Sequence, residues 1–495
     1  MPRDHACPVS LANTERGGDR LWLAAMLAAM AVYYGCVLTN GRFALFDPVD
    51  YGQTFNSMVS HLVDGRFDVD PDAAGQEGFL RDGRIYAYWG IFCALLRLPL
   101  LAWPGAINTD VTTLSCLVGV CAGGFFKLRS LFLVRRYCPP SAARDLLVTA
   151  AGIWLLFGGA QIGFLRASIY QEVVFWSGAI AAAFVYVAVR GLLRENFSKP
   201  DLSWLAALAG LAVNTRISMG VGLCAAFALL SVALILQDSN RAGDVRPLTA
   251  RLRGAAAQRR AVVPVAILSA GILVAAVVNM GRWGNPLVFA DYGRYLGNHD
   301  YPDRVVRTQT YGLFNVARIP LGLIYYVLPL WAFRRGDGAL MFSEDSHRLI
   351  DAFELPPMSF LLTDALPLVL VAGLCRSGFA LWRPSAIRAG AIAAGLAIPP
   401  VLMLTAISMT YRYRMEFYPL IEFVSLLTIC RLSSVPRISI GLSRKVIIAA
   451  TALSVVSANV GMLLDKLSDF GPAQLHMKAG LVTYYTDAVL KRISH

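Results

Sequence analysis

Two carboxylates separated by two residues stand in "FDPVDYGQTFNSMVSHLVDG" (46–65), almost directly after the first long apolar run. A carboxylate fixed where a chain leaves a membrane can take the proton of a hydroxyl or amine brought to that surface, provided it lies close to the reacting atom. Asp47 and Asp50 are therefore candidate bases. The same residues also have a purely structural reading. Asp47-Pro48 is a helix-start pair, with Asp as N-cap and Pro at the first helical position. Asp50 would then sit near the positive end of the helix dipole, and Phe46 and Tyr51 would form a hydrophobic staple. Tyr51, Phe55, Met58 and Leu62 recur at spacings of three and four, which predicts an amphipathic helix on the membrane surface. Asp64-Gly65 stops it. The readings are compatible, because a capping aspartate can also be a base.

The element that must position these acids is a membrane domain. Of 495 residues, 56% are hydrophobic and 16% are charged, against about 25% charged in a soluble domain. Several runs of about 18 to 22 apolar residues can each span a hydrocarbon core. The fold expected is all-α and polytopic; a membrane barrel would show short alternating segments. The net charge of +13 does not imply nucleic acid, because the basic residues gather in short loops at 135–144, 241–260, 376–388 and 431–445. That positive-inside pattern puts these loops and the N-terminus in the cytoplasm.

Spans are expected near 21–39, 112–134, 145–160, 172–190, 203–214, 217–236, 261–281, 359–375, 389–408, 414–431 and 446–464. They make about eleven, or twelve to thirteen if 88–103 and 314–333 also cross. The charge rule favours 314–333 as an interfacial or re-entrant helix. The membrane domain covers 1–465, with outer-face loops at 40–90 and 282–357, and 466–495 is a short tail. The first loop is acidic, with Asp64, Asp68, Asp70, Asp72, Glu77 and Asp82 joining the opening pair. Run 21–39 reads as an uncleaved anchor. The nine cysteines are scattered without CxxC spacing, so neither a disulfide framework nor a zinc site is indicated.

Further stretches follow in order. They are "DGRIYAYWGIFCALLRLP" (82–99), "FLRASIYQE" (164–172), "NTRIS" (214–218), "NMGRWGNPLVFADYGRY" (279–295) and "YRYRMEFYP" (411–419). With the acidic pair after a first span, this succession resembles the GT-C superfamily of integral membrane glycosyltransferases, which includes protein O-mannosyltransferases and the lipid A aminoarabinose transferase. The resemblance covers about 20 to 435. It implies a sugar transfer from a polyprenyl-phosphate-linked donor to an outer-face lipid, glycan or protein acceptor. It also implies that Asp47 is the base and Asp50 its neighbour. Family members carry adjacent acids or an acid-any-acid pair, whereas two residues separate them here, so the choice between the two stays open. Tyr51, Tyr86, Tyr88 and Glu172 are the expected substrate-pocket residues.

A lipid phosphate leaving group needs cations, and the planar fork of arginine suits it. Arginine in a span costs roughly 2.5–3.5 kcal/mol at the centre, so an unpaired one should be rare. The candidates, in order, are Arg412, Arg282, Arg216 and Arg166. Each has an ordinary alternative. Arg412 could anchor at the interface and pair with Glu416 at i, i+4. Arg282 could sit in a solvated loop, Arg216 at a helix-pair apex reaching water, and Arg166 in a loop salt bridge. No cofactor is required. Asp47 and Asp50 could in principle hold a divalent ion, but two carboxylates make a thin site. The competing functions are a transporter or lipid flippase, and a polysaccharide polymerase or ligase using lipid-linked glycans. No internal repeat favours the transporter. A bacterial inner membrane fits the charge pattern and the carrier.

Overall fold

The computed structural model describes residues 17–241, 259–329, 348–353, 358–376, 383–433, 444–467, 485–487 and 489–491. Most of the basic loops expected at 241–260, 376–388 and 431–445, and most of the tail 466–495, lie outside these residues. The described chain is mostly helical. Eight of its helices are long and apolar enough to cross a membrane: Leu21–Leu38, Thr112–Tyr137, Ala142–Phe164, Ile169–Leu193, Ile217–Gln237, Val262–Trp283, Ser385–Leu404 and Arg444–Leu467. Leu273 and Val456 are among the large apolar side chains that they leave exposed, as a lipid-facing surface requires. The chain is an integral, polytopic helical membrane protein.

The other three expected spans fall on shorter helices. Lys199–Val213 has 15 residues, Ala365–Arg376 has 12 after a short turn at Phe360–Thr363, and Tyr418–Ser433 has 16. At 1.5 Å per residue the longest reaches about 24 Å, short of a core of about 30 Å. Among the described residues, eight of the about eleven expected spans are therefore long and apolar enough to cross a membrane.

Helices 199–213 and 259–283 cross where Gly210 faces Gly271, and a Cβ at either would press on the other backbone. Small residues of this kind let membrane helices approach closely. Asn214 follows at the end of helix 199–213. Its side-chain amide donates to the Gly210 carbonyl at 2.9 Å and to the Gly271 carbonyl at 2.8 Å. It thus ties the end of helix 199–213 to the middle of helix 259–283.

The amphipathic helix starts later than its capping signal suggested. It runs Thr54–Val63, with Gln53 at the N-cap position. The Val49 amide donates to the Asp110 carboxylate at 2.8 Å, Tyr51 takes φ +60°, and Thr54 Oγ donates to the Tyr51 carbonyl. A contact from 61 residues away thus overrides the local Asp-Pro signal, and Asp47 caps nothing. The stop at Asp64-Gly65 is as expected, with Gly65 at φ +71°. The apolar face does not meet lipid. Phe55, Met58 and Val59 pack with Trp89, Cys93, Ile169, Val173 and Val278 in a second core, which seats the first loop on helices 169–193 and 259–283.

Segment 88–103 forms only short turns, Phe92–Leu95 and Leu98–Ala102. Helix Ile319–Val327 has nine residues, about 14 Å. Phe314 bridges to Ala406, the Asp351 amide donates to the Ile407 carbonyl at 2.9 Å, and 352–353 pair with 408–409. Phe314 and the stretch 351–353 therefore both pair with one stretch of chain, 406–409. Arg318, fully buried, fastens these segments by donating to the carbonyls of Gly312, Leu313, Leu349 and Thr405.

Candidate functional site

Several helices bring one end to a common cavity of 460 Å³. Helices 169–193 and 217–241 start there, and 199–213, 259–283 and 398–404 end there. Loops 88–91, 287–292, 313–314 and 406–413 complete the wall. Gly90 has no room for a side chain, since a Cβ would run into the Asn214 carbonyl. That close approach lets the Phe92 amide donate to the same carbonyl at 2.9 Å. The stretches 82–99, 164–172, 214–218, 279–295 and 411–419, scattered in sequence, each contribute to this one site.

Three of the four expected arginines line it: Arg216, Arg282 and Arg412. Arg282 is 2% exposed. Its Nη1 donates to the Trp89 carbonyl at 2.7 Å and its Nη2 approaches Met58 Sδ at 3.3 Å, while its Nε has no partner. No carboxylate pairs with it among the described residues. Arg216 donates through Nε to the buried Glu416, which also accepts from Ser218 Oγ at 2.6 Å. The two Nη atoms of Arg216 have no hydrogen-bond partner among the described residues, so a second anion can still be gripped there. Arg412 lies 4.5 Å from the centre of the Tyr170 ring and 5.8 Å from that of Tyr413, and Arg216 lies 5.3 Å from Tyr413. Two guanidinium groups thus share one aromatic ring.

The expected Arg412–Glu416 pair does not form. Residues Tyr411–Glu416 make a 3₁₀ helix, in which positions three apart eclipse, so i and i+4 do not face each other. The buried Arg414 anchors this turn instead, through Asp364, Thr363 and Tyr418.

The remaining expected residues divide. Tyr88 lines the cavity. Tyr86 is buried on the short strand Arg84–Tyr86, 6.1 Å from Trp283 between ring centres, and is not part of the lining. Tyr51 packs over Gly75. Glu172 takes both Nη groups of Arg97, at 2.5 and 2.8 Å, and a bond from Ser115 Oγ at 2.6 Å. It is a closed structural ion pair behind the cavity. Arg166 feels Asp465 and does not line the cavity. Asp47 and Asp50 are exposed on the turn before helix 54–63 and are outside the lining. Among the described residues no group of three or more His, Cys, Asp or Glu is placed to hold a metal ion.

Sequence reasoning named Tyr88 for the pocket but did not name Tyr170, Tyr292, Tyr413 or Glu77 as site residues. Tyr170, Tyr292 and Tyr413 line the cavity with Tyr88 and Trp89. Phe79 is the hub, with Tyr88, Trp283, Tyr292 and Tyr295 all within 5.6 Å between ring centres. Glu77 accepts from the Tyr295 hydroxyl at 2.9 Å. Burial first, and the charge of Glu77 second, push the Tyr295 hydroxyl up, so it stays a neutral donor. The signal in sequence was aromatic density in 82–99 and 279–295, which ordinary interfacial anchoring also explains. Among the described residues, no Asp or Glu lines the cavity. Its chemistry is that of guanidinium groups framed by aromatic rings.

No family model matches the chain, and no curated protein does. Solved structures resemble it in fold. One is the archaeal oligosaccharyltransferase AglB from Archaeoglobus fulgidus in complex with an inhibitory peptide and a dolichol-phosphate. It is 15% identical, over 92% of this chain and 57% of that one, with a TM-score of 0.47. Another is the Archaeoglobus fulgidus oligosaccharyltransferase tethered to an acceptor peptide. It is 14% identical, over 90% and 56%, with a TM-score of 0.45. The same enzyme in its apo form is 16% identical over the same shares, again at 0.45. This chain spans a little over half of their length.

Proposed function

We propose that this chain is a GT-C type glycosyltransferase of the bacterial inner membrane, with a cytoplasmic N-terminus. It moves a sugar from a polyprenyl-phosphate-linked donor to a lipid, glycan or protein acceptor at the outer face. The single observation that carries this is Arg282, a buried guanidinium at a cavity wall with only neutral partners. A buried charge without a counter-charge is costly, and a ligand phosphate would remove that cost. Arg216 and Arg412 line the same space. Leu287 and Phe314, 84% and 55% exposed, put apolar side chains at its edge, where a polyprenyl tail can lie.

In this reaction the acceptor attacks the anomeric carbon. The bond from that carbon to the phosphate oxygen breaks, and its electron pair leaves on a phosphate held by arginine. A carboxylate of the first outer loop, which carries Asp47, Asp50 and Glu77, takes the acceptor's proton.

The test is binding of undecaprenyl phosphate to the purified chain in nanodiscs, read by native mass spectrometry, with envelope glycans compared between wild type and a deletion strain. Wild type should bind, Arg282→Met should bind at least about tenfold more weakly, a step of about 1.4 kcal/mol, and the deletion should lose one sugar mass from a glycan or lipid. Equal binding by Arg282→Met would overturn the assignment. Movement of the lipid across vesicles with no glycan change would make the chain a flippase.

A further inference from the structure

We propose that Glu416 is a positioning residue that acts through Arg216. It holds the guanidinium by its Nε and, as a fixed counter-charge, loosens the grip of Arg216 on the spent lipid phosphate so that the carrier can leave. This rests on the glycosyltransferase reading and adds the release of its second product.

Two buried glutamates hold arginines near the cavity in different ways. Glu172 closes Arg97 by taking both Nη groups, at 2.5 and 2.8 Å. Glu416 takes the Nε of Arg216 and leaves the Nη groups to a second anion. The Arg216 side chain is 18% exposed and that of Glu416 is 0% exposed. Arg216 lines the cavity and Glu416 does not. The carboxylate therefore stands behind the guanidinium, and the ligand space lies in front of it.

Glu416 is also fixed in place. Its Oε1 accepts from Ser218 Oγ at 2.6 Å, at the start of helix 217–241. It ends the turn Tyr411–Glu416, which the buried Arg414 pins by donating to Asp364 at 2.8 Å. Its Oε2 is buried without a hydrogen-bond partner, and among the described residues Arg216 is the cation paired with it. A phosphate on the Nη groups would thus share one guanidinium with a carboxylate that stays put. Like charges a few ångströms apart repel most where the dielectric is low.

That repulsion acts most on the product. When the bond to the anomeric carbon breaks, its electron pair stays on the phosphate. The diester becomes a monoester, which carries about −1.5 to −2 charge at pH 7. Release of product limits many enzymes, so a charge that weakens the product complex serves turnover. Arg282, with no carboxylate among the described residues, keeps the opposite character and supplies the grip.

The test compares Glu416→Gln, which keeps the shape and an acceptor oxygen but not the charge, with Glu416→Asp, which keeps the charge. Each is loaded with undecaprenyl phosphate in nanodiscs, and its loss to an excess of empty vesicles is followed by native mass spectrometry. Each is also expressed in the deletion strain and scored for membrane insertion and glycan mass. Glu416→Gln should release the lipid phosphate about tenfold more slowly than wild type, and Glu416→Asp within about threefold of it. Glu416→Gln should also yield less product, because its own product occupies it. A purely structural role has the opposite sign, since a site that loses its shape lets go faster. Release from Glu416→Gln as fast as from wild type, or faster, overturns the proposal, and so does slow release with undiminished product. Should Glu416→Gln fail to insert, a cryo-EM structure of wild type loaded with undecaprenyl phosphate decides. A phosphate on the Arg216 Nη groups with Nε still on Glu416 supports the proposal, and a phosphate elsewhere overturns it. A wild type that holds no lipid phosphate, or a deletion that changes no glycan, removes the reading beneath, and neither result involves a Glu416 variant.

Discussion

Arg97 and Arg282 are both almost fully buried, and both point toward helix 54–63 and its neighbours, yet their surroundings differ. Arg97 gives both Nη groups to Glu172, whose charge a serine also satisfies, and its guanidinium lies 5.7 Å from the centre of the Phe55 ring. Arg282 has a carbonyl and a thioether, and a cavity beside it. Arg318 shows that backbone carbonyls alone can complete a buried arginine, so it is the cavity beside Arg282, together with its unpartnered Nε, that leaves room for an anion. The difference separates structural charge from functional charge within one protein, and neither burial nor residue type alone would reveal it.

Breaking the closed pair should have the largest effect. Glu172→Ala strands a buried guanidinium and should destabilise the protein by about 3–5 kcal/mol, read as a fall in melting temperature in detergent. The double variant Arg97→Met with Glu172→Leu should recover most of that loss, because the cost lies in the stranded charge. Arg282 should behave the opposite way. Arg282→Met should leave the melting temperature unchanged or higher, and should weaken lipid-phosphate binding by about 1.5–3 kcal/mol, the value of a hydrogen bond to a charged group. A large fall in melting temperature would place Arg282 with Arg97.

Arg216 stands between the two, with Nε committed and the Nη pair open. Arg216→Lys removes the fork while keeping the charge and should weaken binding by about 1 kcal/mol, less than the loss at Arg282, with Glu416 still neutralised. The smallest effect belongs to an outer pair. Asp68 is buried, which would raise its carboxyl, but hydrogen bonds from Arg66 and the backbone and the charge of His61 outweigh burial and hold it below the ordinary range. A depressed carboxyl contributes stability above its unfolded value, about 3.9, and loses it as pH falls through the lowered value. The melting difference between wild type and Asp68→Asn should therefore be present at pH 5 and above and shrink below about pH 3.9. A difference that persists unchanged at pH 2 would mean that its charge is not what holds the loop.

Residues in the acidic turn show how far local signals reach. Asp47-Pro48 is a valid start signal, yet Asp110 captures the Val49 amide and the helix waits until Thr54. The stop at Asp64-Gly65 worked because no distant residue competes for Gly65. "NTRIS" was legible as a break with a charge at its apex, but the partner of that charge, Glu416, lies 200 residues on. The i, i+4 guess for Arg412 and Glu416 failed because their segment is a 3₁₀ turn. Glu77 was one acid among eight in its loop. Only the Tyr295 hydroxyl, 218 positions on, distinguishes it.

Sequence alone therefore determined the class of protein, the placing of the long helices, and the stretches that would matter. Apolar run length, charge clustering and arginine beside aromatic residues are local properties, and transfer from water to lipid acts on each segment by itself. Tertiary structure decided which arginines are neutralised and which are left facing the cavity. Charge pairing depends on atoms a few ångströms apart whose residues can be hundreds of positions apart, and only the packed helices fix those distances.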